Sequence, residues 1–290
     1  MPRFRIQTHG RIQEWVADEK GYFNDEGLEY EFVHNTLMND IVAGAASGGA
    51  EHRSGAFETM AAGNECAIGS ACHWAVNMAA TSRHGKMWGH AYSVTPAGIF
   101  VPGDSPVVGA ADLAGIPVAV GYHSGSHFSA VESLENVLGS EDIVITYRGG
   151  PRDRLEGMLS GELQAANMFG YSMYVLEQKG FRKVLDTTFM IGFIVEDDVS
   201  PNDLAKYFRA LRRAQRDIDA EPSRYKHFFL KELPVEFHDQ VDVNGFGPGE
   251  RIVFEPYTRE VYDSTQTWME ERNLFDGEHA SVSYDDAILV

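Results

Sequence analysis

Cysteine is scarce in this chain. The two thiols among its 290 residues, Cys66 and Cys72, form no CxxC pair and no Cys/His array of zinc spacing. A disulfide scaffold and a structural metal site are therefore excluded. Long apolar runs are missing as well; no window approaches the ~18 apolar residues of a membrane-spanning helix, so no membrane insertion is expected. The opening residues carry Arg3, Arg5 and Arg11 but no apolar stretch of secretory type, which makes the cytoplasm the expected location. Positive charge is in short supply, with 24 Lys and Arg against 43 Asp and Glu and a net charge of −19. Phosphate repulsion then rules out non-specific nucleic-acid binding. A small anion remains compatible, because a helix N-terminus and a few arginines act at close range while distant surface charge is screened. Neither GxGxxG nor GxxxxGK occurs, and no internal repeat is visible, so neither a nucleotide cofactor nor a solenoid is expected.

What is present is strand–helix alternation. Phe4–Gln7 reads as a short strand. Ile12, Trp15 and Val16, followed a turn later by Tyr22 and Phe23, give residues 12–20 the period of an amphipathic helix. Gly21 stands where that helix should stop. Leu28, Tyr30 and Phe32 alternate with polar neighbours, as in a strand. Further on, 118–120, 143–147, 164–168 and 189–195 read as strands. Helices are expected at 71–80, 126–138, 151–160, 172–180, 201–220, 224–232 and 257–272. Leu204, Phe208, Leu211 and Ile218 mark the buried side of the long one, with Arg209, Arg212, Arg213 and Arg216 on its solvated side. The tail around Asp285-Asp286 reads as an extended cover. The Gly/Ala-rich stretch 38–56 reads as a long loop of functional type. Two crossings, near 92–100 and 188–196, divide the chain into lobe 1 (residues 1–92 plus 196–290) and lobe 2 (residues 93–195). The fold class is α/β with a cleft between two lobes.

In open α/β sheets, ligands sit beyond the carboxyl ends of the strands, at helix starts. That rule selects four loops. Thr8, His9 and Arg11 follow the first strand. In Gly69-Ser-Ala-Cys-His-Trp74, Ser70 is the expected N-cap and Cys72 falls inside the first helical turn, where unpaired amides favour a thiolate. Cys72 is then either a nucleophile or a small buried apolar residue. His9 and His127 are the candidate proton carriers for it, each with a surface or capping role as the alternative. In Gly121-Tyr-His-Ser-Gly-Ser-His-Phe128, Ser126 and the free helix amides form an expected anion cradle, or an ordinary turn, with His123 and Ser124 as further expected contacts and Tyr122 and Phe128 as aromatic walls for an apolar body. Arg148 or Arg152 is placed to fork a carboxylate or sulfonate, or to be solvated. Tyr171 lines the cleft or packs in the core. Gly69 and Ser70 complete the expected contacts. The partner is a small molecule with one anionic or strongly polar group and an apolar body.

The stretch EWVADEKGYFNDEGLEYEFV resembles the opening of type 2 periplasmic-binding-protein folds, the group with alkanesulfonate-, taurine- and thiamine-precursor-binding proteins. Phe57–Gly69 resembles that family's helix–Gly–acidic–strand element, and Phe100–Gly121 its crossover into the second lobe. The resemblance implies the two-lobe fold, with Ser124, Ser126 and His127 as ligand contacts. FVPGDSPVVGAADLAG and STQTWMEERNL resemble, more weakly, the cytosolic aromatic sulfinate desulfinases. These use Cys, His and Arg in the cleft, but place the Cys in the first strand–helix loop, where this chain has Thr8-His9-Gly10-Arg11. The Cys-rich metal motif of thiamine-pyrimidine synthases is absent. The expected function is a hydrolase or lyase on a substrate-binding scaffold, with a non-catalytic solute-binding protein or ligand sensor as the alternative.

Overall fold

The structure, a computed structural model, describes residues 3–33, 66–81, 85–274 and 282–290. The expected loop at 38–56, and residues 57–65 of the element resembling the binding-protein family, lie outside the described residues.

The chain opens with β1 (Phe4–Gln7), α1 (Gln13–Glu19), α2 (Tyr22–Asp25) and β2 (Tyr30–Val33). Gly21 stops α1 at φ 69°, a left-handed conformation that is inexpensive only for glycine. β2 starts at Tyr30, where it pairs with Phe4 of β1, later than the alternation from Leu28 suggests. β3 (Ile68–Cys72) lies on the other side of β1 and runs straight into α3 (His73–Thr81). β4 (Lys86–Trp88) and β5 (Tyr92–Thr95) follow. Only Pro96 then separates β5 from β6 (Ala97–Val101), the first strand of a second sheet. That sheet gains β7 (Pro117–Val120), α4 (Gly125–Glu135), β8 (Val144–Tyr147), α5 (Pro151–Leu159), β9 (Ala165–Phe169), α6 (Gly170–Gln178) and β10 (Arg182–Asp186). β11 (Phe189–Val195) returns to the first sheet and leads into α7 (Pro201–Ala220). β12 (Arg251–Val253), the helix α8 (Arg259–Glu271) and β13 (Ile288–Leu289) close the chain.

The first sheet runs β12-β5-β11-β3-β1-β2, with β4 beside β11 and β13 beside β4; the second runs β10-β6-β9-β7-β8. β1, β2 and β3 are mutually parallel around β1, as are β7, β8 and β9 around β7. The carboxyl ends of β1 and β3 thus open toward those of β7, β8 and β9. One large apolar core spans both sheets, joining Phe4, Ile6 and Val16 to Met158, Met168, Tyr171 and Leu176. The long helix α7 buries Leu204, Phe208, Leu211 and Ile218, while Arg209 and Arg213 pair with Glu26 and Asp25 of α2.

Three expectations change. β3 extends through Ser70 to Cys72, because five residues of β11 pair with it antiparallel from Ile68 to Cys72. Ser70 is accordingly a strand residue and not an N-cap. The tail is not an extended cover: Tyr284–Ala287 is a helical turn, and β13 adds a parallel strand to β4. The segment 224–232 is broken into short turns and not one helix.

Candidate functional site

The loop between β7 and α4 brings together the residues expected to cradle an anion. Gly121 N–H donates to Ser126 Oγ (2.9 Å), and Ser124 Oγ donates to the Gly121 carbonyl (2.8 Å). Asn167, on β9, donates to the Ser126 carbonyl at 2.7 Å and to Ser129 Oγ at 2.9 Å, and accepts from Thr187 Oγ1 at 2.7 Å. These bonds fix the first turn of α4, so its leading amides and positive dipole end are held in one direction. The two serine hydroxyls serve the loop itself, which leaves the amides as the groups available to a ligand. His123 takes φ 46°, a strained setting for a residue with a side chain. Its ring stacks on Tyr122 at 3.9 Å between centroids, and Tyr147 stands edge-on to Tyr122 at 4.6 Å and to His127 at 5.3 Å. Burial keeps the His127 imidazole neutral and pushes its pKa down to about 4, with His123 adding to the effect. Nδ1 of His127 is buried without a hydrogen-bond partner among the described residues.

Behind this loop lies a residue that sequence reasoning missed. Arg154, on α5, is 1% exposed. Its Nε donates to the Asn167 carbonyl (3.2 Å) and Nη1 to the Gly149 carbonyl (2.7 Å). A methyl group added at Gly121 would sit 3.0 Å from Arg154 Nη1, which places the guanidinium directly beneath the cradle. Among the described residues no carboxylate lies within ion-pair distance of it. Burial lowers its pKa to about 10, against the weaker pull of Asp153. A buried cation without a counter-ion is costly unless an anion joins it. The arginines expected to hold the ligand are engaged elsewhere: Arg148 pairs with Glu162 at 2.5 Å, and Arg152 with Glu156 at 2.9 Å and with Glu236. The sequence did carry a signal. Arg154 and Met158 are four residues apart, on one helix face, and that face is the buried one.

On the facing lobe, Arg11 is 1% exposed and has its donors engaged. Nε bonds Glu14 at 2.8 Å, Nη1 bonds Glu250 at 2.9 Å, and Nη2 bonds Ser70 Oγ at 2.9 Å. Ser93 Oγ donates in turn to Glu250 at 2.5 Å. Arg11 and Ser70 therefore tie β1, β3, β5 and the approach to β12 together, where sequence reasoning expected ligand contacts. Burial opposes the Arg11 charge, but Glu14 and Glu250 overcome it and raise its pKa. Burial likewise opposes the Glu250 charge, yet His9, Arg11 and Ser93 hold its pKa down to about 2. His9 faces Glu250 at 3.3 Å and is the more exposed partner. Thr8 is buried beside it, and Gly69 lies within the β3–β11 pairing.

Cys72 closes β3 at the very start of α3. The amides of Ala75 and Trp74 lower its thiol pKa, as a helix start should, but burial dominates and pushes it up to about 12. The expected thiolate is thus opposed by desolvation, since the sulfur sits in an apolar cluster with Trp74, Phe128 and Phe189. Cys72 does stand beside the other lobe. A methyl group added at Gly125 would meet the Phe189 ring at 2.5 Å and Cys72 Cβ at 3.0 Å. His73, adjacent in sequence, bonds the Met190 carbonyl at 3.1 Å, and burial lowers its pKa to about 4.

Tyr171, in the first turn of α6, is 3% exposed, and its hydroxyl has no hydrogen-bond partner among the described residues. Burial raises its pKa, and it feels Arg154 and Arg152 on one side and Glu232 and Glu236 on the other.

Two twisted sheets, exchanging strands at two crossings and opening parallel strand ends toward each other, define a two-lobe type 2 periplasmic-binding-protein fold. The alkanesulfonate-binding protein SsuA from Xanthomonas axonopodis pv. citri, bound to MOPS, superposes with a TM-score of 0.72 at 14% identity, over 99% of this chain and 98% of that one. The periplasmic aliphatic sulphonate binding protein SsuA from Escherichia coli gives 0.71 at 17% identity, over 100% and 93%. The desulfurization enzyme DSZB gives 0.61 at 14% identity, over 96% and 95%. The sequence matches no family model and no curated protein. Among the described residues, no helix is long and apolar enough to cross a membrane.

Proposed function

We propose that this protein binds a small anionic molecule between its lobes, the anion resting on the start of α4 with Arg154 behind it. The observation that carries this reading is the buried Arg154 guanidinium, which lacks a carboxylate partner among the described residues. Helix amides and an uncompensated cation at one point form an anion site without further parts. Aromatic rings from Tyr122, Tyr147 and Phe128 surround the place and suit an apolar body. The sulfonate-binding proteins of the same fold favour the same direction. Titration calorimetry with short alkanesulfonates, alkanoates and inorganic phosphate tests it. At least one of these anions binds the wild type, and Arg154→Gln weakens that binding ~10–100-fold, the value of one charge-assisted hydrogen bond of about 1.5–3 kcal/mol. No binding by any of them, or equal binding by Arg154→Gln, sinks the proposal.

Turnover at Cys72 is the second reading, favoured by the two amides beside its sulfur and by the desulfurization enzyme of the same fold. We rank it below binding, because a buried thiol at about 12 carries almost no thiolate near neutral pH. Iodoacetamide labelling of Cys72 should accordingly stay slow up to pH ~10, and Cys72→Ala should bind the anion as the wild type does. A labelling midpoint below that of a free thiol, near ~8.5, would restore the catalytic reading.

A further inference from the structure

The helix that carries the proposed anion site at its start carries an oddity at its end. α4 closes on Glu135, with Glu132 one turn earlier on the same face, and no basic residue stands in that last turn. A carboxylate at a helix C-terminus meets the negative end of the dipole and is locally unfavourable. Glu135 therefore answers to something outside α4.

Its partner is on the other lobe. Arg272, the residue that ends α8, forks the Glu135 carboxylate, with Nε donating to Oε1 at 3.0 Å and Nη2 to Oε2 at 2.6 Å. α4 belongs to lobe 2, tied to β9 through Asn167. α8 belongs to lobe 1: Tyr262 and Met269 share an apolar cluster with Trp74 and Val76 of α3, and Asn77 of α3 donates to the hydroxyl of Tyr257, just ahead of α8, at 3.2 Å. Among the described residues, the hydrogen bonds between α8 and lobe 2 are those of Arg272. The fork is held in shape from behind. Its Nη1 donates to the Trp268 carbonyl at 3.0 Å, and the guanidinium carbon lies 4.4 Å from the centre of the Trp268 ring. That indole packs with Trp74 of α3 at 6.0 Å and edge-on with Phe128 of α4 at 6.4 Å, between ring centres. An aromatic contact and a planar bidentate pair thus join α8 to α4, about one and three turns below the start of α4.

We propose that Arg272 and Glu135 form a clasp between the lobes, which holds the far end of α4 against α8, sets where the cradle at the near end meets lobe 1, and parts before a ligand leaves. The clasp stands on its own geometry; its bearing on ligand release rests on the anion site proposed above. Both residues act through α4 and are positioning residues. With side chains 27% and 30% exposed, the pair adds little to global stability, and its weight falls on the balance between open and closed lobes.

The clasp is tested first without ligand. Trp74 and Trp268 are two of the four tryptophans, so acrylamide quenching of indole fluorescence reads the parting of the helices, with the radius of gyration from X-ray scattering beside it. Arg272→Glu sets like charges against each other and should raise both. Adding Glu135→Arg restores an attractive pair and should return both to wild-type values. Release is then read by stopped-flow with whichever of the short alkanesulfonates, alkanoates or phosphate binds in calorimetry. Arg272→Gln should speed its dissociation roughly 3–5-fold, the scale of one partly exposed pair, and leave the association rate almost unchanged. Wild-type quenching and radius in Arg272→Glu overturn the clasp. So does an opening that the double variant fails to reverse, since Arg272 would then serve only to cap α8. Unchanged dissociation from Arg272→Gln, with binding still sensitive to Arg154→Gln, overturns the role in release and leaves the anion site intact. If none of these anions binds while the ligand-free results hold, the anion site fails and the clasp stands.

Discussion

Replacing Arg11 with alanine destabilises the protein by about 3–5 kcal/mol, the cost of removing one partner from a buried ion pair. The penalty comes less from the lost bonds than from what they leave behind. Glu14 and Glu250 would remain buried, negatively charged and facing each other, with Ser70 and Ser93 losing their shared partner. Arg11→Lys should recover little, because one ammonium cannot reach carboxylates on two sides as the planar fork does. A thermal melt checks this directly. At ~2–4 °C per kcal/mol, the midpoint should drop by roughly 10 °C. The double variant Arg11→Met with Glu250→Gln should melt above Arg11→Ala, since it removes one stranded charge. A single variant that melts within a degree or two of the wild type would show that the network stabilises nothing.

Acid is the second large lever. His73 and His127 are both buried as neutral rings, with pKa values of about 4 against an ordinary 6.5. The unfolded chain therefore binds protons at a pH where the folded chain does not. Stability from each ring is present in full above pH 6.5 and is lost as the pH falls through 6.5 toward 4. A depression from 6.5 to about 4 corresponds to about 3 kcal/mol per ring at most. Glu250 extends the loss: its carboxylate, held at about 2 against 4.5, stabilises above pH 4.5 and ceases to do so as the pH drops toward 2. Urea melts at pH 7, 5.5 and 4 should show a falling midpoint, and His127→Asn should flatten that fall. A midpoint constant from pH 7 to 4 would mean that both rings protonate freely in the folded state.

These two effects involve residues that differ in how readable they were. The strand–helix alternation was legible because each element carries its own period. α7 shows its buried side in Leu204, Phe208, Leu211 and Ile218, and Gly21 marks the stop of α1 through a conformation that few other residues tolerate. The turn at Gly121–Phe128 was legible as a helix start for the same reason, since small residues there have a local purpose. Ser70 and Cys72 were misplaced because their setting is not local. A small-residue run ahead of a helix looks like a cap, and only pairing with β11, more than a hundred residues later, makes it strand. Arg154, Glu14, Glu232 and Glu250 were hidden by the ordinary rule that charge faces water. Each is an exception that only tertiary structure reveals, because the partner or the lack of one comes from another element.

Pro96 stiffens one of the two connections between the sheets. It is the sole residue between β5 and β6, with a ring-locked φ and no amide hydrogen. The companion crossing, between β10 and β11, is pinned as well, with Thr187 bonded to the Ala97 carbonyl and to Asn167. For the ligand proposed above, lobes joined by two such constrained connections would open through a narrow arc only. An entrance of that kind would admit compact anions and release them slowly.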